Sequence, residues 1–211
     1  MEFKDVVRRR RMIRRYDPER PVPDPVLRAC LENAVRAPSA GFSQGWDFVV
    51  LREPDERERF WAATTEPGAE PDAWLSGMSS APALVLCCSD KTAYLERYAA
   101  QDKGWTDRDE ARWPVPYWDI DTGMAALLML LTAVDEGLGG LFFGVPPERH
   151  PAVKEAFAVP TGRRLVGVVA LGYPLPGPRS PSLRRHRRSA DEVAHWGRFG
   201  VHAADRGPSG R

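Results

Sequence analysis

The chain has 211 residues, of which 43% are apolar and 28% charged; these proportions are typical of a globular protein and exclude wholesale disorder. Its 30 Lys and Arg residues against 29 Asp and Glu leave a formal net charge of +1, which disfavours a protein that binds nucleic acid through overall charge. Three cysteines, Cys30, Cys87 and Cys88, form no even-numbered disulfide set, so we expect a reducing, cytoplasmic setting. We predict one domain over residues 1–200 and a disordered tail over residues 201–211.

Apolar periodicity and turn residues predict helices and strands in irregular alternation, which indicates an α+β fold. The predicted helices cover residues 3–14, 24–37, 119–136, 147–157 and 190–196, with a further helix that starts at Glu53. The predicted strands cover residues 46–51, 83–88, 141–145 and 165–171. Asp24 is expected to cap the second helix, with Pro25 at its first position. Gly137 is expected to close the long helix, because the glycine loop of a Rossmann fold would follow a strand instead.

Arginine is concentrated at both ends of this near-neutral chain. The first fifteen residues contain one cluster and the C-terminal region a second: Arg8, Arg9, Arg10, Arg11, Arg14 and Arg15, then Arg184, Arg185, Arg187 and Arg188. Two such clusters indicate a single anion that is held from both ends of the chain. On a helix, Arg10 and Arg14 share one face and form a clamp for a phosphate. A solvated basic face or a nucleic-acid patch is the alternative interpretation.

The loop over residues 39–45 connects the second helix to the first strand and is small and polar. Its two hydroxyls, a glutamine side chain and its glycines would let a flat ring with hydrogen-bonding edges approach the backbone closely. In isolation, the loop is better interpreted as an ordinary helix-to-strand turn.

Residues 91–118 contain charges, aromatic side chains and prolines in no regular pattern. A stretch of this length is more typical of a cover over a functional site than of a plain connector. Its aromatic residues, among them Trp105, Trp113, Tyr117 and Trp118, predict either a stacking platform for a flat compound or packing at the edge of a dimer. The sequence does not distinguish these two roles.

The helix predicted over residues 119–136 is apolar on nearly every face. Its uncharged apolar stretch covers residues 122–134, shorter than the roughly 20 residues that cross a bilayer, so we expect no contact with a membrane. A helix that is apolar all round must be covered on all sides. One domain of this size rarely does so alone, so we expect a partner subunit to cover part of this helix.

Several familiar catalytic signatures are missing from the sequence. It has no Gly-x-Ser-x-Gly motif and no P-loop, and its four histidines show no metal-ligand spacing. We therefore expect no metal, and a bound organic cofactor would have to supply the chemistry.

Four features, in order along the chain, resemble the nitroreductase family of flavin mononucleotide (FMN) proteins. They are Arg10-Arg11-Met12-Ile13-Arg14, similar to the family's Arg-Arg-Ser-x-Arg; Ala37-Pro38-Ser39 with Gln44-x-Trp46, similar to its Ala-Pro-Ser and Gln-Pro-Trp; residues 121–139, similar to its central helix; and Leu171-Gly172-Tyr173-Pro174 with the residues up to Trp196, similar to its C-terminal end. Met12 and Gly45 depart from the pattern, since they stand where the family has Ser and Pro.

The resemblance implies a mostly antiparallel sheet flanked by helices, in an intertwined homodimer that holds FMN at its interface. The residues implied to hold the phosphate and ribityl side are Arg10, Arg11, Met12 and Arg14, together with Arg185 or Arg187 from the other end of the chain. Those implied to line the edge of the isoalloxazine ring, contributed by the partner subunit, are Pro38, Ser39, Ala40 and Ser43. The backbone of Gly139, Gly140 and Leu141 would meet the ring on its other side.

The resemblance also implies a ping-pong oxidoreductase. NADH or NADPH would reduce the flavin and leave, and a small acceptor such as a nitroaromatic or a quinone would then be reduced in its place. One alternative stays within the family: a biosynthetic enzyme that dehydrogenates a bound intermediate, or that fragments flavin as dimethylbenzimidazole synthase does. Residues 37–44 are similar to the loop of that synthase, whereas Met12 stands where we expect it to have an acidic residue. Nucleic-acid binding is a more distant alternative, because no aromatic residues are interleaved with the arginines.

Overall fold

The computed structural model describes residues 1–66, 68, 70–177 and 184–203. The chain divides into two compact units, Met1–Pro176 and Gly177–Arg211. The tail that was predicted to be disordered lies outside the described residues from position 204 onward. The prediction of one domain over residues 1–200 stays a prediction.

The helices and strands alternate irregularly along the chain, as the sequence predicts. The helices are α1 (Phe3–Arg9), α2 (Asp24–Ala34), α3 (Pro54–Thr64), α4 (Ala73–Met78), α5 (Lys91–Ala99), α6 (Tyr117–Asp135), α7 (His150–Ala156) and α8 (Ala190–Val193). The strands are β1 (Trp46–Leu51), β2 (Ala83–Asp90), β3 (Gly139–Phe143) and β4 (Arg163–Gly172). Short 3₁₀ turns occur at Ala40–Phe42, Glu110–Arg112 and Pro147–Arg149.

The four strands form one antiparallel sheet in the order β1-β2-β4-β3. Both faces of the sheet are covered, because successive side chains of a strand point to opposite faces. In β2, Val85 and Cys87 belong to the core under α2 and α6, whereas Leu84 and Leu86 belong to the core under α3 and α7. The sheet is therefore the middle layer of an α+β fold, and the continuous apolar run of β2 follows from this double burial.

The structure confirms the predicted strands to within two residues at every boundary. The helices predicted over residues 24–37 and 190–196 each end three residues early, at Ala34 and Val193, and three other predictions are contradicted. The first helix ends at Arg9 and not at residue 14. Residues 91–99, predicted to be irregular, form α5, whose first turn is capped when the Asp90 carboxylate accepts the Thr92 N–H at 2.9 Å. Asp24 lies inside α2 and forms an ion pair with Arg52, so it does not cap the helix.

Gly137 closes α6 as predicted. Its φ of +77° is the left-handed conformation that glycine adopts without steric cost. The N–H of Gly137 donates to the Val134 carbonyl at 3.1 Å, and the N–H of Leu138 donates to the Ala133 carbonyl at 2.7 Å. This pair of bonds is a Schellman motif, and it turns the chain directly into β3.

Helix α6 lies at the centre of the first unit and has 19 residues, ten of which are buried. It is the one helix in the described part of the chain that is long and apolar enough to cross a membrane, but its buried positions pack against α2 and the sheet as in a core helix. Ile120, Met124 and Leu127 lie one helical turn apart and are 39%, 40% and 47% exposed. We call these three residues the α6 stripe; the single chain leaves this apolar surface uncovered.

Candidate functional site

The arginine-rich segment after α1 is extended and runs beside the start of β3. Met12 forms a parallel bridge with Gly140, and the Ile13 N–H donates to the Gly140 carbonyl at 3.2 Å. A Cβ at Gly139 would lie 2.6 Å from Cγ1 of Ile13, so the segment can approach this closely only because position 139 lacks a side chain. The structure thus brings together two sets of predicted site residues, those at positions 10–14 and those at positions 139–140.

The predicted helical clamp is wrong, since Arg10 to Arg15 lie beyond the end of α1. The helix does not continue because the backbone of this segment pairs with β3 instead, and this pairing holds it extended. In an ideal extended chain alternate residues share a side, so we expect Arg10, Met12 and Arg14 to share one. At about 3.3 Å per residue, the Cα atoms of Arg10 and Arg14 are roughly 13 Å apart. Two arginines at this spacing suit an elongated ligand better than one isolated phosphate.

The N-terminal arginines are largely without acidic partners. Arg8 pairs with Asp5 at 2.5 Å, and Arg14 Nη1 contacts the Met12 carbonyl at 3.5 Å. In the part of the chain that the structure describes, the arginines of this cluster with no carboxylate within 4.0 Å are Arg9, Arg10, Arg11, Arg14 and Arg15. We call these five the arginine row. Uncompensated guanidinium groups of this density attract an anion, and guanidinium forks match phosphate oxygens.

Two anchors hold the loop that follows α2. The Ala40 N–H donates to Oδ2 of Asp121 at 2.9 Å, and the Tyr94 hydroxyl donates to the same oxygen at 2.8 Å. Asp121 is only 3% exposed, so this carboxylate is buried in α6 and satisfied by the two donors. On the other side, Arg97 Nε donates to the Gly41 carbonyl at 2.8 Å, while its guanidinium grips both carboxylate oxygens of Asp102.

Neither Asp121 nor Arg97 was singled out from the sequence. Asp121 did carry a signal, since it is the last carboxylate before the uncharged apolar stretch of the helix. Burial, followed by the hydrogen bond to Asp121, raises the pKa of Tyr94 far above its ordinary value. The Tyr94 hydroxyl therefore stays protonated and remains a donor to the carboxylate.

Within the loop, the serine hydroxyls already have partners. Ser39 Oγ accepts the Gln44 N–H at 3.0 Å, and the Ser43 hydroxyl donates to the Ala40 carbonyl at 2.6 Å. The hydroxyl hydrogen of Ser39 and the lone pairs of Ser43 remain available to a ligand. Pro38 is exposed, and Ser39, Ala40 and Ser43 are partly exposed. The loop thus offers the small, rigid polar edge that the sequence predicts, although no ligand contact follows from this alone.

The aromatic residues of positions 91–118 pack on one another around Trp113. The ring centroids of five of them, Tyr94, Tyr98, Trp105, Tyr117 and Trp118, lie 4.6 to 5.9 Å from that of Trp113 in edge-to-face or tilted contacts. Tyr98 also closes one side of the loop, because a Cβ at Gly41 would lie 2.6 Å from Cε2 of Tyr98. The aromatic cluster is therefore the packed support of the loop.

The loop and the arginine row meet different parts of α6. The loop is bonded to Asp121, whereas a Cβ at Gly140 would lie 2.7 Å from Cδ2 of Leu130. At 1.5 Å per residue, Asp121 and Leu130 are separated by about 13 Å of helix. Gly139, Gly140 and Leu141 are themselves buried, so the structure gives them a packing role. Their predicted contact with a flavin stays a prediction.

In the second unit, Arg185 and Arg187 are both exposed. They precede α8, which begins with a capping box in which Ser189 Oγ accepts the Glu192 N–H at 3.3 Å. Arg188 donates to the Glu192 carbonyl at 2.8 Å and so ties this short helix to the arginine cluster. The predicted phosphate contact of Arg185 or Arg187 stays a prediction.

A cavity of about 990 Å³ lies elsewhere, between α5, α7 and the adjoining ends of β2 and β4. Its cations are already engaged: Arg163 by Asp47 and Asp90, Arg164 by Asp119, Lys91 by Glu110, and Lys154 by the Thr161 and Arg163 carbonyls. This cavity therefore differs from the arginine row, whose charges have no such partners, and we do not assign an anionic cofactor to it.

The described residues contain no reactive thiol and no cluster suited to a metal ion. All three cysteines are buried, and desolvation raises the pKa of Cys30 to about 12 and that of Cys88 to about 11. A thiol that stays protonated is a poor nucleophile. The arrangement can bind and orient an anionic ligand, but it does not supply a nucleophile of its own.

Comparisons with known proteins identify the family and the fold of the chain. Residues 7–173 match the model of the nitroreductase family. An Archaeoglobus fulgidus protein named NADH dehydrogenase/NAD(P)H nitroreductase is 30% identical over 167 residues, which cover 78% of this chain and 81% of that protein. A Thermus thermophilus NADH dehydrogenase is 28% identical, with 93% of this chain and 96% of that protein covered. The crystal structure of a nitroreductase family protein from Streptococcus pneumoniae TIGR4 shares the fold at a TM-score of 0.72, with 19% identity over 92% of this chain and 99% of that one.

Proposed function

Because the chain belongs to the nitroreductase family, we propose that it is an FMN-dependent oxidoreductase that passes reducing equivalents from NAD(P)H to a flat acceptor by a ping-pong mechanism. The acceptor class is a nitroaromatic, a quinone or a similar compound. The observation that carries the proposal is the arginine row, a set of uncompensated guanidinium groups that begins at the last residue of α1 and continues along the extended segment beside Gly139 and Gly140. Three buried, protonated thiols accord with a reducing cytoplasm as the setting.

The residues present fit FMN in both charge and shape. Arg10 and Arg14, about 13 Å apart on one side of the extended segment, suit a phosphate at one end and a ribityl chain along it. Met12 lies between them, is 46% exposed and offers only apolar contact, so the arginines must supply the polar contacts of this segment. The Ser39 hydroxyl and the backbone near Ala40 suit the polar edge of the isoalloxazine ring.

FMN, when bound, supplies the chemistry of hydride acceptance and donation. The protein's part is to bind, to orient and to exclude water. The loop is well suited to orientation, because its backbone is fixed at Ala40 and Gly41 by Asp121 and Arg97. Among the described residues near the loop we assign no dedicated acid or base, and we infer that rate enhancement derives from positioning two flat ring systems against each other.

We further propose that the active form is a homodimer with its site between protomers. The α6 stripe presents three large apolar side chains to water in the single chain. Covering such a surface is favourable by about 25 cal/mol per Å² of apolar area. Asp121, which holds the loop, and Leu130, which lies near Gly140 beside the row, are about 13 Å apart along α6, so we infer that a ligand between two protomers takes the row from one and the loop from the other.

Replacing Leu127 by Asp should convert the dimer to a monomer. The new carboxylate would be buried without a partner at one end of the stripe, on its most exposed residue, and we expect the dimer to weaken by at least about a hundredfold. Sedimentation velocity over a range of concentrations measures this. Val35→Asp is the matched control, since Val35 is 49% exposed and lies outside the stripe. Unchanged association of Leu127→Asp, or equal loss in both variants, would contradict the proposed interface.

The cofactor proposal is tested on the purified full-length protein. We expect a yellow protein, or a colourless one that takes up about one FMN per chain. In the absence of oxygen, NADH or NADPH should reduce the bound flavin and bleach its visible absorbance. A protein that neither carries nor takes up FMN would overturn the proposal. Incubation of the reduced, FMN-loaded protein in air tests the flavin-fragmenting alternative, which predicts a ring-contracted product in the mass spectrum.

A further inference from the structure

Phe42 is an exposed aromatic side chain at the tip of the anchored loop. Its side chain is 76% exposed, although the residues on either side of it are partly buried. A phenyl ring in water forgoes the stabilisation that burial of its apolar area would contribute. Single exposed apolar side chains are common, so what distinguishes Phe42 is its place in the anchored loop, two positions after Ala40, and its backbone.

The backbone at Phe42 is held in a conformation that phenylalanine rarely adopts. Its φ is +59°, and its neighbour Gly41 has φ +61°. The left-handed region is sterically unfavourable for a bulky residue, so the surrounding structure must enforce it. Here the Phe42 N–H donates to the Ser39 carbonyl at 2.9 Å, and Asp121 and Arg97 fix the residues just before it. The ring is therefore projected from a rigid base.

We propose that Phe42 is a specificity-determining residue whose ring stacks on the flat acceptor in the active site. This inference rests on the proposed function, in which the adjoining Ser39 and Ala40 line the flavin edge. The face of a phenyl ring carries partial negative charge, and the rings of quinones and nitroaromatics are electron-poor, so the two attract each other in an offset stack. The aromatic cluster behind the loop is less suited to this role, because its rings pack edge-to-face or tilted against one another and support the loop.

The test uses the FMN-loaded dimer, reduced chemically with dithionite so that no nicotinamide competes for the slot. Each reduced flavin passes two electrons and two protons to one naphthoquinone, giving the hydroquinone, or one electron to each of two ferricyanide ions with the protons released to water. Stopped-flow absorbance follows flavin reoxidation against acceptor concentration. Ferricyanide is octahedral and has no ring to stack.

For Phe42→Ala we expect the half-saturating concentration of naphthoquinone to rise about tenfold, while that of ferricyanide changes less than about twofold. Phe42→Tyr should keep naphthoquinone within about twofold of the parent, whereas Phe42→Leu, which keeps bulk but not the ring, should resemble Phe42→Ala. Phe199→Ala is the matched control, because Phe199 is 89% exposed and lies in the second unit. Circular dichroism, FMN content and sedimentation verify that each variant is folded, loaded and dimeric.

Several outcomes would overturn the inference. Equal effects on naphthoquinone and ferricyanide, rescue by leucine, or no effect of Phe42→Ala would each exclude stacking on the acceptor. Dissociation of the Phe42→Ala dimer would show that the ring packs against the partner subunit instead. These results are distinct from failure of the proposed function, in which the parent protein itself takes up no FMN.

Discussion

Replacing Arg10 and Arg14 together by alanine is expected to weaken FMN binding by at least about a hundredfold, since each charge-assisted hydrogen bond contributes about 1.5 to 3 kcal/mol. Both arginines lie outside regular helix and lack an acidic partner among the described residues, so their removal leaves no buried charge behind. The change should therefore affect binding and leave the free energy of unfolding nearly unaltered. Quenching of FMN fluorescence during titration measures the dissociation constant.

Arg59→Ala is the matched control for this pair. Arg59 is also exposed, but it lies on α3 and is paired with Asp55 at 3.6 Å, so we expect unchanged FMN affinity. The salt dependence of FMN binding distinguishes a bound phosphate from a diffuse basic face as the role of the arginine row. A diffuse basic face loses its attraction for anions as the Debye length falls below about 8 Å, whereas bidentate contacts to a bound phosphate persist. Wild-type affinity in the double variant would show that the row is only a solvated surface.

Replacing Asp121 by alanine is expected to lower the free energy of unfolding by about 3 kcal/mol, because two buried donors each lose their acceptor at about 1 to 3 kcal/mol apiece. These donors are the Ala40 N–H and the hydroxyl of Tyr94, a fully buried residue. Burial keeps the Tyr94 pKa far above its ordinary value, so the hydroxyl stays protonated and is left without an acceptor. Urea unfolding followed by circular dichroism at neutral pH gives the free energy.

Two further variants test whether the loss of stability in Asp121→Ala comes from its two hydrogen bonds. Asp121→Asn keeps one acceptor oxygen, and Tyr94→Phe removes one of the two donors, so each should cost about 1 kcal/mol and less than Asp121→Ala. Glu136→Ala, at an exposed carboxylate beyond the other end of α6, should change little. Faster amide hydrogen exchange over residues 39–44 in Asp121→Ala would show that the loop loosens with its anchor. A loss no larger than that of Glu136→Ala would contradict the anchoring role.

The strands and the central helix were predictable because their signals are local. The run from Ala83 to Cys88 is apolar at every position, and only a strand with both faces covered by helices requires that. The closure of α6 at Gly137 was predictable for the same reason, since a left-handed glycine after an apolar helix is a property of a few neighbouring residues. The predicted ends of the strands and of α6 differ from the observed ends by at most two residues.

The parts of the candidate site that the sequence did not predict depend on residues far apart in the chain. By local propensity, Arg10 to Arg14 continue a helix, but the pairing of Met12 and Ile13 with Gly140 offers the backbone partners in β3 and makes the segment extended. Asp121 becomes an anchor only because α6 brings it to the loop, 81 residues earlier in the chain.

The amino-acid sequence thus determined by itself the α+β class, the long apolar helix, the two arginine clusters and the family that these features resemble, because short-range periodicity and composition encode them. Only the tertiary structure decided that the helix ends at Arg9 and leaves Arg10 to Arg14 outside it, that Asp121 and Arg97 hold the loop, and that Phe42 projects from it in a left-handed conformation. Hydrogen bonds between distant segments outweigh local propensities of a few tenths of a kcal/mol per residue, and no pattern of neighbouring residues records them.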